Sequence, residues 1–182
     1  MNSYLMTVEK IDEKIGKKID GNLDKIGGNP TYMPPDLEEV NDEYYFMEIF
    51  NTERIGGKED ILCWQFYQDM EFGGIISKVV AIPLGSELYS ENIIKKRRWL
   101  DEYYIHYKDI EIYNEEDTYV SMLGGIPMDE GKPDEYILQE CEDRNLRYTG
   151  IIFEDLCPYN DLNFGSQFYI LGMDEEGNLV AI

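Results

Sequence analysis

The feature that most constrains this chain is a Gly-Gly-x-Pro motif that occurs twice, with an offset of 97 residues between the copies. The motif residues are Gly27, Gly28 and Pro30 in the first copy and Gly124, Gly125 and Pro127 in the second. A glycine pair permits a backbone turn that a Cβ would block, and the proline fixes φ and extends the residue before it. A phosphate-binding glycine loop would need a following helix and a Lys, Ser or Thr at a fixed spacing, and neither copy has them. We therefore predict a structural role for all six residues.

Each motif is followed by similar segments in the same order. Residues 45–49 and 72–74 follow the first copy, and residues 136–140 and 164–166 follow the second. The offset between the later pair is 92 residues, so the two offsets differ by no more than a short loop. This pattern predicts an internal duplication within a single domain, residues 1–182. The first β-rich repeat spans residues 25–83, a connecting segment spans 84–121, and the second β-rich repeat spans 122–182.

Hydrophobic periodicity predicts one helix and several strands. Leu5, Val8, Ile11, Ile15 and Ile19 recur every three or four residues with charges between them, which predicts an amphipathic helix over residues 1–22. Short aromatic and β-branched runs predict strands at 44–50, 61–67, 75–82, 103–107, 110–113, 136–141, 146–153 and 167–171. Most neighbouring strands are close in sequence, which favours antiparallel pairing. The predicted fold class is α+β: internally duplicated, largely antiparallel β-sheets with an N-terminal amphipathic helix.

The charge of the chain limits its partners. It has 38 acidic and 16 basic side chains, which gives a net charge of −22 at pH 7. Such a field repels the phosphates of nucleic acid and of anionic lipid, so we expect neither direct nucleic-acid binding nor a membrane partner. Residues 1–20 carry acids where a signal peptide would be apolar, and we expect a cytoplasmic protein.

Few residues are suited to catalysis or metal binding. Cys63, Cys141 and Cys157 are widely separated, which predicts reduced, mostly buried thiols rather than disulfides or a metal site. The only histidine, His106, lies in an aromatic run and is interpreted as an ordinary strand residue. No hydrolase, nucleotide-binding or calcium-binding motif is present. We therefore predict no cofactor, no metal and no catalytic residues, and a protein that is not an enzyme.

The segment 103–117 mixes tyrosines with acids and is the predicted partner-binding surface. Its candidate residues are Tyr103, Tyr104, Tyr107, Asp109, Glu111, Tyr113, Glu115, Glu116 and Asp117. Carboxylates attract a basic partner over a distance, and tyrosine buries a large area at a small entropic cost. The alternative is that these tyrosines alternate between core and surface, as strand residues commonly do.

The motifs together resemble the YwqG-like family of uncharacterised bacterial cytosolic proteins. The resemblance rests on the Ile-Gly-Gly-x-Pro run from Ile26, on Pro34-Pro35, on the Leu-Gly-Gly-Ile-Pro run from Leu123, on Ile137-Leu138-Gln139 and on the Phe-Gly run at Phe164. It implies a duplicated α+β fold with a mixed or antiparallel sheet, and it brings no established reaction or catalytic residues. Because such proteins often occur in toxin and immunity gene neighbourhoods, it also implies a toxin-neutralising role by analogy.

Three functions follow from these observations. The first is an acidic cytosolic protein of the immunity type that binds and neutralises a basic toxin domain. The second is a DNA mimic that inhibits a nucleic-acid-binding protein, which would need carboxylates spaced along one face. The third is a small-ligand-binding protein or hydrolase with a pocket between the repeats. No oligomeric state is predicted.

Overall fold

The computed structural model describes residues 3–10, 22–50, 52–69, 71, 75–90, 101–110, 120–129, 132–153, 156 and 168–182. Its helices are α1 (Thr52–Ile55) and α2 (Glu135–Asp143). Its strands are β1 (Ser3–Lys10), β2 (Lys25–Ile26), β3 (Tyr44–Ile49), β4 (Ile61–Asp69), β5 (Ile75–Pro83), β6 (Tyr103–Ile110), β7 (Met122–Gly124), β8 (Met128–Asp129), β9 (Lys132–Pro133), β10 (Arg147–Phe153), β11 (Phe168–Met173) and β12 (Leu179–Ala181).

Ten of these strands form one nearly closed sheet, in the order β12-β11-β10-β7-β1-β6-β2-β3-β4-β5. Each pairing within it is antiparallel. The two edge strands, β5 and β12, contact each other. Close to this junction the Ile76 N–H donates to the Tyr169 hydroxyl at 3.0 Å. Strands β8 and β9 form a separate pair.

The sheet is ordered symmetrically about β1 and β6, which pair over their whole lengths from Ser3 with Ile110 to Lys10 with Tyr103. On its other edge β1 pairs with β7, from the second half of the chain. Likewise β6 pairs with β2, from the first half. Strand β1, the first strand of the first half of the chain, therefore pairs with β7 of the second half. Strand β6, the first strand of the second half, pairs with β2 of the first half. Both central strands lie outside the predicted repeats 25–83 and 122–182.

Matching hydrogen bonds recur on the two sides of this centre. The Met6 N–H donates to the Ser121 carbonyl, and the Ile105 N–H donates to the Asp24 carbonyl, each at 2.8 Å. The Ser121 and Asp24 side chains then accept the N–H groups of Phe153 and Phe50 respectively. A duplicated chain would produce such a repeated pattern, and the duplication itself stays a prediction.

The enclosed face of the sheet holds the main hydrophobic core. Its largest buried side chains include Trp64, Phe66 and Phe46, and it extends across the sheet to Leu171 and Leu179. Since burying one large apolar side chain contributes about 1.5–3 kcal/mol, this core is the main source of stability.

Two segments cover the outer face of the sheet, one on each side of the centre. We call residues 31–43 the loop cover and residues 134–143, which comprise α2 and its N-cap, the helix cover. Val40 of the loop cover packs with Tyr45, Tyr67 and other side chains of β3, β4 and β5. Ile137 and Cys141 of the helix cover pack against β7, β10 and β11. Cys63 and Cys141 are buried and free, as expected for reduced thiols, and Cys157 lies outside the described residues.

The prediction of an N-terminal helix is wrong. Ser3–Lys10 is strand β1, and residues 11–21 lie outside the described part of the chain. Leu5 and Val8 fit a helical spacing, but Met6 and Val8 also alternate onto the core face of a strand. Pairing with β6 and β7 on both edges decides between the two periodicities.

The prediction of a strand at 136–141 is also wrong, because this segment forms α2. The Asp134 side chain caps the helix by accepting the N–H groups of Tyr136 and Ile137 at 3.0 and 3.1 Å. Ile137 and Cys141, four residues apart, are buried against the sheet. The predicted α+β class is therefore corrected to a mostly antiparallel β fold, in which the described helices have four and nine residues.

Both glycine pairs have left-handed backbone. Gly27 and Gly28 have φ values of +74° and +66°, and Gly124 and Gly125 have +71° and +69°. A Cβ at Gly125 would overlap the Ser3 side chain of β1, and one at Gly28 would overlap the Glu102 carboxylate. The pairs thus combine a left-handed turn with close approach to a neighbouring segment.

We expect Gly125→Val to destabilise the fold through both effects. Left-handed backbone costs a non-glycine residue roughly 1–2 kcal/mol. Together with the overlap at Ser3 we expect a loss of about 3 kcal/mol, or on the order of 10 °C in melting temperature. Gly85→Val is the matched control, because Gly85 also has a positive φ but has open space around it. A melting temperature for Gly125→Val that equals or exceeds that of Gly85→Val would contradict this account.

Candidate functional site

Four of the nine predicted partner-binding residues, Tyr103, Tyr104, Tyr107 and Asp109, lie on β6, a central strand of the sheet. Tyr103 is buried, and Tyr107 packs against the core and donates its hydroxyl to Asp24. Burial, followed by the charge of Asp24, raises the pKa of Tyr107 well above its usual value. Tyr104 is half-buried and Asp109 is exposed. The remaining candidates, Glu111, Tyr113, Glu115, Glu116 and Asp117, lie outside the described residues.

A row of polar side chains crosses the neighbouring strands on the outer face of the sheet. Lys25 of β2, Glu48 of β3 and Gln65 of β4 are register partners, and we call them the polar row. Glu48 and Gln65 are fully buried, and the Lys25 side chain is 11% exposed. The Lys25 ammonium lies 3.4 Å from the Glu48 carboxylate and 3.4 Å from that of Glu102, a half-exposed residue just before β6.

The polar row holds the beginning of the loop cover against the sheet. The Glu48 carboxylate accepts the Thr31 N–H at 3.1 and 3.2 Å and also accepts the Thr31 hydroxyl. The Gln65 amide donates to Glu48 at 3.3 Å and to the Tyr32 carbonyl at 2.9 Å. Two backbone groups of the loop cover therefore depend on the polar row, since a buried group without a partner is costly.

Two buried tyrosines lie next to the polar row. Tyr67 donates its hydroxyl to the Gln65 side-chain oxygen at 2.9 Å. The Tyr45 hydroxyl is buried and has no hydrogen-bond partner among the described residues. Burial, reinforced by the charge of Glu48, raises the pKa of Tyr45 well above its usual value. Burial, followed by the charge of Glu48, also raises the pKa of Tyr67, so both phenols stay protonated beside the polar row.

The corresponding positions in the other half of the sheet are apolar. Met122 of β7, Ile151 of β10 and Ile170 of β11 are register partners, and we call them the apolar row. Lys25 begins β2 and Met122 begins β7, and each lies two residues before the first glycine of a pair. The fold thus accepts hydrophobic residues here, and replacing a buried ion pair by apolar residues is often neutral or stabilising. We therefore expect the sheet to form without the polar row, whose contacts with Thr31 and Tyr32 hold the beginning of the loop cover.

The polar row continues to the exposed centre of the outer face. Tyr104 is the register partner of Lys25, and its ring lies edge-on to the His106 ring at 4.3 Å. The His106 Nε2 lies 2.9 Å from a carboxylate oxygen of Glu9 on β1. The interpretation of His106 as an ordinary strand residue holds for its backbone, but its side chain joins a polar surface that the sequence did not reveal.

Both covers are strongly acidic. Each contains five carboxylates and no lysine or arginine: Asp36, Glu38, Glu39, Asp42 and Glu43 in the loop cover, and Asp134, Glu135, Glu140, Glu142 and Asp143 in the helix cover. Each also exposes apolar side chains. Leu37 is 37% exposed on the loop cover, and Tyr136 is 65% exposed on the helix cover. This mixture of acids with accessible apolar groups suits a protein interface better than a catalytic centre.

Comparisons with family models, with curated proteins and with solved structures found no match. The functional argument therefore depends on the residues themselves.

Within the described residues, no group of three or more His, Cys, Asp or Glu side chains is arranged to hold a metal ion. In the same part of the chain, no helix has the length and apolar character needed to cross a membrane.

We expect Glu48 to make stability depend on pH. Burial raises the pKa of Glu48, and Lys25 and the hydrogen bonds from Thr31 and Gln65 only partly oppose this. Between pH 4.5 and the raised value, the folded protein holds a proton that the unfolded chain releases. Stability should therefore fall as pH rises through this window, and Glu48→Gln should remove that part of the fall. Urea unfolding across the window measures it, with the exposed Glu71→Gln as control. If the unfolding free energies of Glu48→Gln and the wild type change with pH in parallel, the Glu48 carboxyl does not titrate in this pH window.

Replacing the polar row by the residues of the apolar row tests whether the polar row positions the loop cover or is needed to stabilise the sheet. We expect the triple variant Lys25→Met, Glu48→Ile, Gln65→Ile to stay within about 2 kcal/mol of the wild type in unfolding free energy. Amide hydrogen exchange in the loop cover should nevertheless become faster, because Thr31 and Tyr32 lose their partners. Lys25→Met alone should cost about 3 kcal/mol, because it leaves Glu48 buried without a counter-charge. A triple variant that is less stable than Lys25→Met would mean that the sheet itself needs the polar row.

Proposed function

We propose that this protein binds a basic protein partner through its acidic covers and neutralises it, as an immunity protein neutralises a toxin domain. The observation that carries the proposal is the pair of covers, each with five carboxylates and no basic residue, on the outer face of one sheet. Such a surface accelerates encounter with a cationic partner and disfavours anionic ones. The exposed Tyr136 and Leu37 add apolar contact area once the partner has docked.

A toxin domain that acts on nucleic acid is the partner class that this surface suits. The cleft of such a domain is cationic because it binds phosphates, and the carboxylates of the covers would take the place of those phosphates. The resemblance to the YwqG-like family supports the same role through the toxin and immunity neighbourhoods of its members. Cytoplasmic location is part of the proposal, since a neutralising protein must meet the toxin where it acts.

Paired charge reversals test the proposal against a panel of basic nuclease toxin domains. We expect Glu38→Lys with Asp42→Lys, or Glu142→Lys with Asp143→Lys, to weaken binding at least tenfold in calorimetry. Wild-type binding should weaken as salt is added, because the association is electrostatically steered. The matched control is Glu53→Lys with Glu59→Lys, which changes the net charge by the same amount outside both covers. We expect the control to change affinity less than threefold.

Two outcomes would contradict the proposal. If no basic domain of the panel binds the wild type, the partner class is wrong. If the control weakens binding as much as the cover variants do, the net charge alone drives association and the covers are not the interface.

A further inference from the structure

A groove of about 510 Å³ lies beside the helix cover, where α2 meets β10 and the turn that follows β11. Its floor is apolar and includes Leu146, Tyr148 and Met173. Its rim carries the carboxylates of Glu142, Asp174 and Glu175. The groove therefore combines a surface that can pack a hydrocarbon chain with acceptors for a cation.

The rim is negative. Arg147 is the one cationic residue among the described residues that line the groove, and its guanidinium contacts another element. The Arg147 guanidinium lies 3.4 and 3.5 Å from the carbonyl oxygens of Ile55 and Gly56, at the end of α1. Glu142 and Glu175 are exposed, and neither forms an ion pair within the described residues. Three carboxylates are therefore balanced by a single arginine, whose charge is shared with carbonyl groups on another element.

The Asp174 carboxylate is held in one orientation by hydrogen bonds from Asn178. The Asn178 N–H donates to Asp174 Oδ1 at 2.7 Å, and the Asn178 side-chain amide donates to Oδ2 at 2.9 Å. These hydrogen bonds lower the pKa of Asp174. A carboxylate that is held ionised in a defined orientation forms a directional acceptor for a partner group.

We infer that the groove receives an arginine side chain of the basic partner. This inference rests on the proposed function and names the group by which the partner is anchored. The arginine stem is apolar and packs along a hydrophobic floor, while its planar guanidinium donates to more than one carboxylate at once. A lysine ammonium carries the same charge but lacks the planar set of N–H donors, so it is less able to bind several rim carboxylates at once. An arginine buried in a groove is also a common energetic anchor of protein interfaces.

A tripeptide titration tests the groove directly. The probe is acetylated and amidated Gly-Arg-Gly, followed by the ¹H–¹⁵N spectrum of the intact protein. Its control has citrulline in place of arginine, which keeps the shape and removes the charge. We expect arginine-dependent shifts at the amides lining the groove, at least fivefold weaker binding of the lysine tripeptide, and no saturable shifts with citrulline.

Neutralising the rim provides the matched variants. Glu142→Gln with Glu175→Gln should weaken binding of the arginine tripeptide at least fivefold, whereas Glu53→Gln with Glu59→Gln, outside both covers, should leave its affinity unchanged. Both pairs are exposed, so the fold is retained and the spectra remain comparable. Equal binding of the citrulline peptide, unchanged affinity of the rim variant, or shifts of equal size in the loop cover would each overturn the inference.

The same variants distinguish this inference from the proposed function. If a basic toxin domain binds the rim variant as tightly as the wild type but still loses affinity with Glu38→Lys and Asp42→Lys, the proposed function stands and the groove is not its anchor. If the arginine tripeptide localises to the groove while no basic toxin domain binds, the groove is an arginine site and the proposed function fails.

Discussion

The pairing of β1 with β6 is the interaction on which the rest of the sheet depends. These two strands pair over eight residues, and each has its other edge occupied by a strand from the opposite half of the chain. The glycine pairs belong to this arrangement, because Gly125 comes close to Ser3 of β1 and Gly28 comes close to Glu102 just before β6. A side chain at Gly125 would press on Ser3, including its backbone, and one at Gly28 would have to move the Glu102 carboxylate, so each glycine pair meets a residue of the opposite half.

The two sides use this common frame differently. One attaches its cover through Glu48 and Thr31, with Lys25 as the counter-charge, and the other attaches its cover through apolar contacts of Ile137 and Cys141. A buried carboxylate holds a particular backbone group in place, which hydrophobic packing does less specifically, but it costs desolvation energy. The loop cover has turn hydrogen bonds to the carbonyls of Glu38 and Val40, and residues 31–33 pair with residues 87–89. The polar row adds side-chain partners for Thr31 and Tyr32. The helix cover satisfies its own backbone and needs only an apolar floor.

Much of the sheet could be predicted from local pattern, because strands β3, β4, β5, β10 and β11 alternate strongly and are bounded by turn residues. Strand β1 could not, since Leu5 and Val8 fit a helical spacing whereas Met6 and Val8 fit a strand, and the deciding partners lie in the second half of the chain. The helix α2 was missed although Asp134 is a good N-cap and Ile137 and Cys141 are four residues apart. Of the candidate site, the acidic character was visible in the composition. The polar row was not, because it exists only through the strand register; its sole trace is a charged Glu48 and an amide Gln65 inside otherwise apolar runs.

Because β1 pairs with strands of the second half of the chain, it cannot complete its pairing until those strands have been synthesised. Strand β1 is synthesised first, but the strands that flank it are β6 and β7, which begin at residues 103 and 122. Translation proceeds at roughly 5–20 residues per second, so β1 waits several seconds without either neighbour. During that interval its unpaired backbone donors and acceptors are open to pairing with other chains.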